Sequence, residues 1–140
     1  MDQTLTLGWT RQEAAARRRV YQRALWLALG LEILLGLYAL LAPASLSALL
    51  GLPSPRPEGW VRIWGALLLF AAALHVPGVL DPVRRRWASL VGISGRFALA
   101  VLYAILSGGF LWLALIEAGL GFLLAILYFS LFKAELMSRP

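Results

Sequence analysis

The sequence contains no cysteine, which excludes disulfides, thiolate chemistry and iron–sulfur ligation. It contains a single histidine, His75, so neither a bis-histidine haem nor a Cys/His zinc set can be assembled. No P-loop and no GxGxxG is present, and no nucleophile stands beside His75 and Asp81 to make a Ser-His-Asp set. Charge is scarce too. Charged residues are 14% of the chain and hydrophobic ones 61%, where a soluble domain is nearer a quarter and a half. With 140 residues there is room for one domain, 1–140, and too little chain to hide that much apolar surface in a water-soluble core.

What is present is four apolar runs of membrane length, expected at about 24–42, 60–80, 87–106 and 110–132. They predict an all-α, integral membrane four-helix bundle. The first run is too long for a signal-peptide core and reads as a retained span. Before it, Met1 to Trp9 reads as a frayed arm. Thr10-Arg11-Gln12-Glu13 then has the form of a capping box, with the Glu13 amide donating to the Thr10 hydroxyl. The expectation is a short basic N-terminal helix, Arg11 to Arg23, leading into the first span and lying at the lipid head groups.

The outer loop, 43–59, holds Pro43, Pro53, Pro55 and Pro57, which exclude a long helix. Ala44 to Leu50 is expected as one short helix at the interface, capped by Ser45 or Ser47. In the second span Pro77 sets two alternatives. A helix stopping at Val76, the favoured expectation, leaves His75 at the interface; one continuing to Leu80 buries it. Ser107-Gly108-Gly109 is an uncharged turn that makes the last two spans antiparallel neighbours.

The net charge of +6 sits in clusters at the ends of apolar runs, which suits anionic lipid and gives no nucleic-acid patch. Lys and Arg number five in the N-terminal segment, three in the second loop and two in the tail (Lys133, Arg139), against Arg56 and Arg62 on the other side. That asymmetry places both termini in the cytoplasm. Trp26, Trp87 and Tyr128 are then expected at the inner interface, and Tyr38, Trp60, Trp64, Tyr103 and Trp112 at the outer one.

Arg96 sits in the middle of the third run. An arginine there costs about 3 kcal/mol on insertion scales and calls for a partner. Glu32 is nine residues beyond Arg23 and Arg96 ten beyond Arg86, so both lie about 14 Å above the inner interface. Glu117, eight residues past the outer turn, lies about 12 Å below the outer one. All three fall near the midplane, and a guanidinium can serve two carboxylates. Small residues share their faces: Ala24, Ala28 and Gly36 with Glu32; Gly92 and Gly95 with Arg96; Ala114, Ala118, Gly121 and Ala125 with Glu117. Two acids against one arginine leave a net negative charge unless one is protonated or Arg62 joins. That opens a proton-linked or cation-binding role. The plain alternative is an ion cluster that only fixes helix register.

Four spans with both ends inside, a first span with Gly30 and Gly36 closed by Pro43, and Arg62-Ile63-Trp64-Gly65-Ala66 opening the second resemble the DoxX-like small membrane proteins. The resemblance covers about residues 25–132. It implies a four-helix bundle and, in the family's namesake, a small integral subunit of a quinone-reducing sulfur-oxidising enzyme. It matches Arg62 and Gly65, with Glu32 as the facing acid; Arg96 and Glu117 have no place in that pattern. The expected location is a bacterial cytoplasmic (inner) membrane. Three functions stay open. The first is an accessory or anchor subunit of a membrane complex, such as a redox complex, whose partner is another membrane protein or a second copy. The second is a binder or carrier of a quinone or lipid, its head at Glu32, Arg96 and Glu117 and its tail along Trp64, Phe97 and Trp112, with His75 accessory. The third is an enzyme using Glu32 or Glu117 as acid or base. No metal and no tightly built cofactor site is expected.

Overall fold

The protein is described here from a computed structural model covering residues 2–138, with side chains from Thr10 onward. Met1, where the expected arm begins, and Arg139, the last cation of the tail, lie outside the described residues. Among those described, all secondary structure is helical: α1 (Asp2–Leu41), α2 (Pro43–Leu49), α3 (Gly59–Leu80), α4 (Arg86–Leu106) and α5 (Phe110–Met137). α1, α3, α4 and α5 are each long and apolar enough to cross a membrane, and only 22–33% of their most apolar stretches is buried within the protein. Many leucines, with Trp26, Phe70, Trp87 and Phe129, face outward, which only a lipid solvent tolerates on this scale. The chain is an integral membrane protein.

Proline sets the breaks. Pro43 ends α1 and takes the first turn of α2, where its missing N–H costs nothing. Pro53, Pro55 and Pro57 keep the approach to α3 irregular. Upstream of Pro43 nothing interrupts a helix, and α1 runs unbroken from Asp2. The expected arm and separately capped helix are therefore one element. Thr10 lies inside it and is not an N-cap. The Glu13–Arg17 pair at 2.7 Å, one turn apart, supports that basic section. Forty residues make α1 about 60 Å long, twice a ~30 Å hydrocarbon layer.

Two other expectations change. Neither Ser45 nor Ser47 caps α2; Ala42 holds the N-cap position and Ser47 is buried. α3 does not stop at Val76 but passes through Pro77 to Leu80. Proline forfeits one helical hydrogen bond, and the last turn is secured from outside. Gln22 Nε2 donates to the Val79 carbonyl at 2.7 Å, and Arg18 reaches the Leu80 carbonyl and Asp81. The Asp81 amide closes the helix on the Pro77 carbonyl.

α1 packs chiefly on α3 and α4 on α5, and the two hairpins meet along α1/α5 and α3/α4. The α1/α3 contact is closest where glycine faces glycine. A Cβ on Gly65 would stand 2.6 Å from the Gly36 carbonyl oxygen and 2.8 Å from the Ala39 Cβ, so both helices need bare backbone there. At the same end Gly109 passes against the Leu50 carbonyl, with no room for a side chain. This pins the α4–α5 turn under α2. At the opposite end Arg17 hydrogen-bonds Ser130 and Arg18 pairs with Asp81. The basic part of α1, the α3–α4 loop and the end of α5 therefore gather together.

Tyr103 and Tyr128 depart from the expected aromatic belts. Both are buried, as is Tyr21, which packs its ring on Tyr128 at 5.5 Å. The Tyr103 hydroxyl accepts from Trp64 Nε1 at 3.1 Å, so both polar tips are satisfied inside the protein and do not need the head-group layer. Gly65→Val is expected to destabilise the protein by about 1–3 kcal/mol through overpacking. Gly30→Ala, where a Cβ meets open space, should cost nothing measurable. Thermal unfolding in detergent compares the two.

Candidate functional site

The third and fourth long helices bring Arg96 and Glu117 together by the turn the sequence suggests. Arg96 Nη1 donates to Glu117 Oε2 at 2.8 Å, and Arg96 Nη2 donates to Glu32 Oε2 at 3.2 Å. One guanidinium thus ties α1, α4 and α5. The side chains are 4% exposed for Arg96, 5% for Glu32 and 12% for Glu117. At such burial the carboxylates are what make a charged arginine tolerable, and the reverse holds equally.

Because α3 continues to Leu80, His75 joins the cluster. Its Nδ1 lies 3.8 Å from Glu32 Oε2, and its side chain is 18% exposed. Gly92 of α4 makes the space: a Cβ there would approach the imidazole to 3.0 Å. Gly95, expected to serve the same face, meets open space.

Other expected members stand apart. Arg62 does not reach Glu117. It is exposed, donating to the Leu40 carbonyl at 2.7 Å and pairing with Glu58 at 3.4 Å. It therefore serves the carbonyl end of α1, where cations are favoured. Trp112 is exposed on the outer surface of α5. Phe97 packs edge-on against Phe122 and over Gly121, within the α4/α5 contact. Trp64 stays inside, bonded to Tyr103.

Two cavities meet near the cluster. One, of about 250 Å³, runs between α1 and α5 beneath α2. Glu32, Arg96 and Glu117 form its polar floor, and Leu31, Leu35 and Ile116 are among its walls. The other, of about 540 Å³, lies between α2, α3 and α4 and is lined by Trp60, Trp64, Leu67, Leu102 and Phe110 among others. Leu46, Leu50 and Leu68 belong to both.

Tyr21 and Ser89 are the residues that sequence reasoning missed. Both are buried beside Arg96 and His75 around a much smaller space. The signal existed, since Tyr21 is three helical turns before Glu32 and Ser89 two before Arg96, on the same faces. No group of His, Asp and Glu among the described residues is placed to hold a metal ion.

No protein-family model, no curated protein and no solved structure matches the chain.

Arg96→Met leaves two buried acids without their cation and is expected to cost about 3–5 kcal/mol. Replacing Glu32, Arg96 and Glu117 together by Met should recover most of that loss. Reversible unfolding of the three proteins in mixed micelles gives the comparison. A triple variant no more stable than Arg96→Met would contradict the ion-cluster account.

Proposed function

We propose that the protein binds or carries a small amphipathic molecule, a quinone or a lipid, with its polar head at Arg96, Glu32 and Glu117. The supporting observation is where the three nearly buried charges lie. They floor an apolar groove of about 250 Å³ between α1 and α5. Apolar walls with a few convergent polar groups are the usual composition of a small-molecule site. An ion cluster serving only helix register has no need of such a groove. Arg96 donates to the head group, the two acids hold the guanidinium in place, and the leucines of α1 and α2 cover the chain.

In this reading the helices form a four-helix bundle with both termini cytoplasmic. Ten of the thirteen Lys and Arg residues are assigned to the inner side. The bilayer is the bacterial cytoplasmic membrane, as the likeness to DoxX-like proteins suggests. A second reading, an accessory subunit of a membrane redox complex, is favoured by Gly30, Gly95 and Gly119. A Cβ on each meets open space, so a further helix could approach there.

Native mass spectrometry of gently extracted protein is expected to show a bound small molecule in the wild type. The molecule should be missing from the variant with Met at positions 32, 96 and 117. A protein partner retained by both forms, with no small molecule, supports the accessory subunit instead. Orientation is checked separately, since the chain has no cysteine. Ser54→Cys should react with an impermeant maleimide added outside intact cells, and Ser138→Cys only after lysis.

A further inference from the structure

On the side of Arg96 away from the groove lies a second polar environment that the ligand-binding proposal does not use. It is a cavity of about 10 Å³ lined by Tyr21, His75, Ser89, Gly92 and Arg96, among others. That is about one water molecule's worth of space. Three buried polar atoms in this neighbourhood lack a hydrogen-bond partner: Tyr21 Oη, Ser89 Oγ and His75 Nδ1. The Tyr21 and Ser89 hydroxyls are neighbours, yet they do not make a hydrogen bond of good geometry. Tyr21 is fully buried and Ser89 nearly so. Native proteins rarely leave such groups unsatisfied without a bound water or ion.

Charge counting points the same way. The groups facing this centre are Tyr21 and Glu32 of α1, His75 of α3, Ser89 and Arg96 of α4, and Glu117 of α5. Arg62 is bonded elsewhere, and α2 contributes no ionisable group. With His75 neutral, two carboxylates and one guanidinium sum to one net negative charge in an apolar interior. One added proton brings the sum to zero. Glu117 has the closer contact to Arg96. Glu32 lies farther from it and faces His75 Nδ1 at 3.8 Å, a small side-chain rotation from a hydrogen bond.

We propose that Glu32 and His75 share a bound proton, and that one water is held by Tyr21 and Ser89 against the His75 ring. The pair is then a proton site inside the membrane, joined through Glu32 to Arg96 and so to the groove. The proton lies between Glu32 Oε2 and His75 Nδ1. The water satisfies the two orphaned hydroxyls and gives the imidazole a partner for exchange. This assignment needs no ligand in the groove and stands whether or not one binds there.

His75 is the sole histidine, so labelling histidine with heavy nitrogen gives one imidazole in the magnetic resonance spectrum. The full chain in lipid nanodiscs at neutral pH is expected to show either an imidazolium or, by infrared, a protonated carboxyl band. Both are signatures of the same proton, and both should be absent from Glu32→Gln. Cross-relaxation between water and the His75 ring is expected in the wild type and lost in Ser89→Val, which fills the cavity. A wild type with a neutral imidazole and no protonated carboxyl overturns the proton site. So does a carboxyl band that survives Glu32→Gln and disappears in Glu117→Gln. A wild-type His75 with no contact to water overturns the water site, and that measurement needs no variant to fold.

Discussion

A guanidinium in the middle of an apolar helix has to be neutralised by groups attached to other helices, because its own turn of helix offers none. Arg96 meets this constraint through Glu117 of α5 and Glu32 of α1. Three helices are thereby fixed in rotation and depth at one point. Lipid tails give little hydrophobic drive for helices to associate, so such a polar tie specifies register where greasy packing would leave it free. α3 enters the same centre through His75, so every long helix contributes a polar side chain to it.

The small residues let that tie form. Gly121 of α5 lies against the Phe97 ring of α4, in the helix pair that carries Arg96 and Glu117. Gly36 against Gly65 brings α1 and α3 to backbone contact, and Gly92 leaves room for the imidazole. Bare backbone and buried charge are two parts of one arrangement. The first sets the distances and the second makes those distances necessary.

The four membrane-length helices, the tight α4–α5 turn and the meeting of Glu32, Arg96 and Glu117 were all legible in the sequence. Length, hydropathy and depth along a 1.5 Å rise act locally or along one axis. What was not legible depended on neighbours. Pro77 reads as a stop, but Gln22 and Arg18 reaching across from α1, with the Asp81 amide on the Pro77 carbonyl, secure the last turn of α3. Arg62 reads as a second cation for Glu117 by height alone, but it faces the end of α1 instead. Tyr103 and Tyr128 read as interfacial by depth, which says nothing of whether a ring points outward or in. Depth is a one-dimensional quantity, and the failures at Arg62, Tyr103 and Tyr128 are failures of azimuth.

The three leucines common to both large cavities have a further mechanical consequence. Leu46 and Leu50 come from α2 and its end, and Leu68 from α3, and together they stand as a partition between a charged compartment and an apolar one. A partition has one thickness and one position at a time. If the short helix shifts toward α3, the space above the charges widens as the neighbouring chamber narrows; the opposite shift reverses both. The sizes of the two spaces are therefore linked through the same few ångströms of leucine.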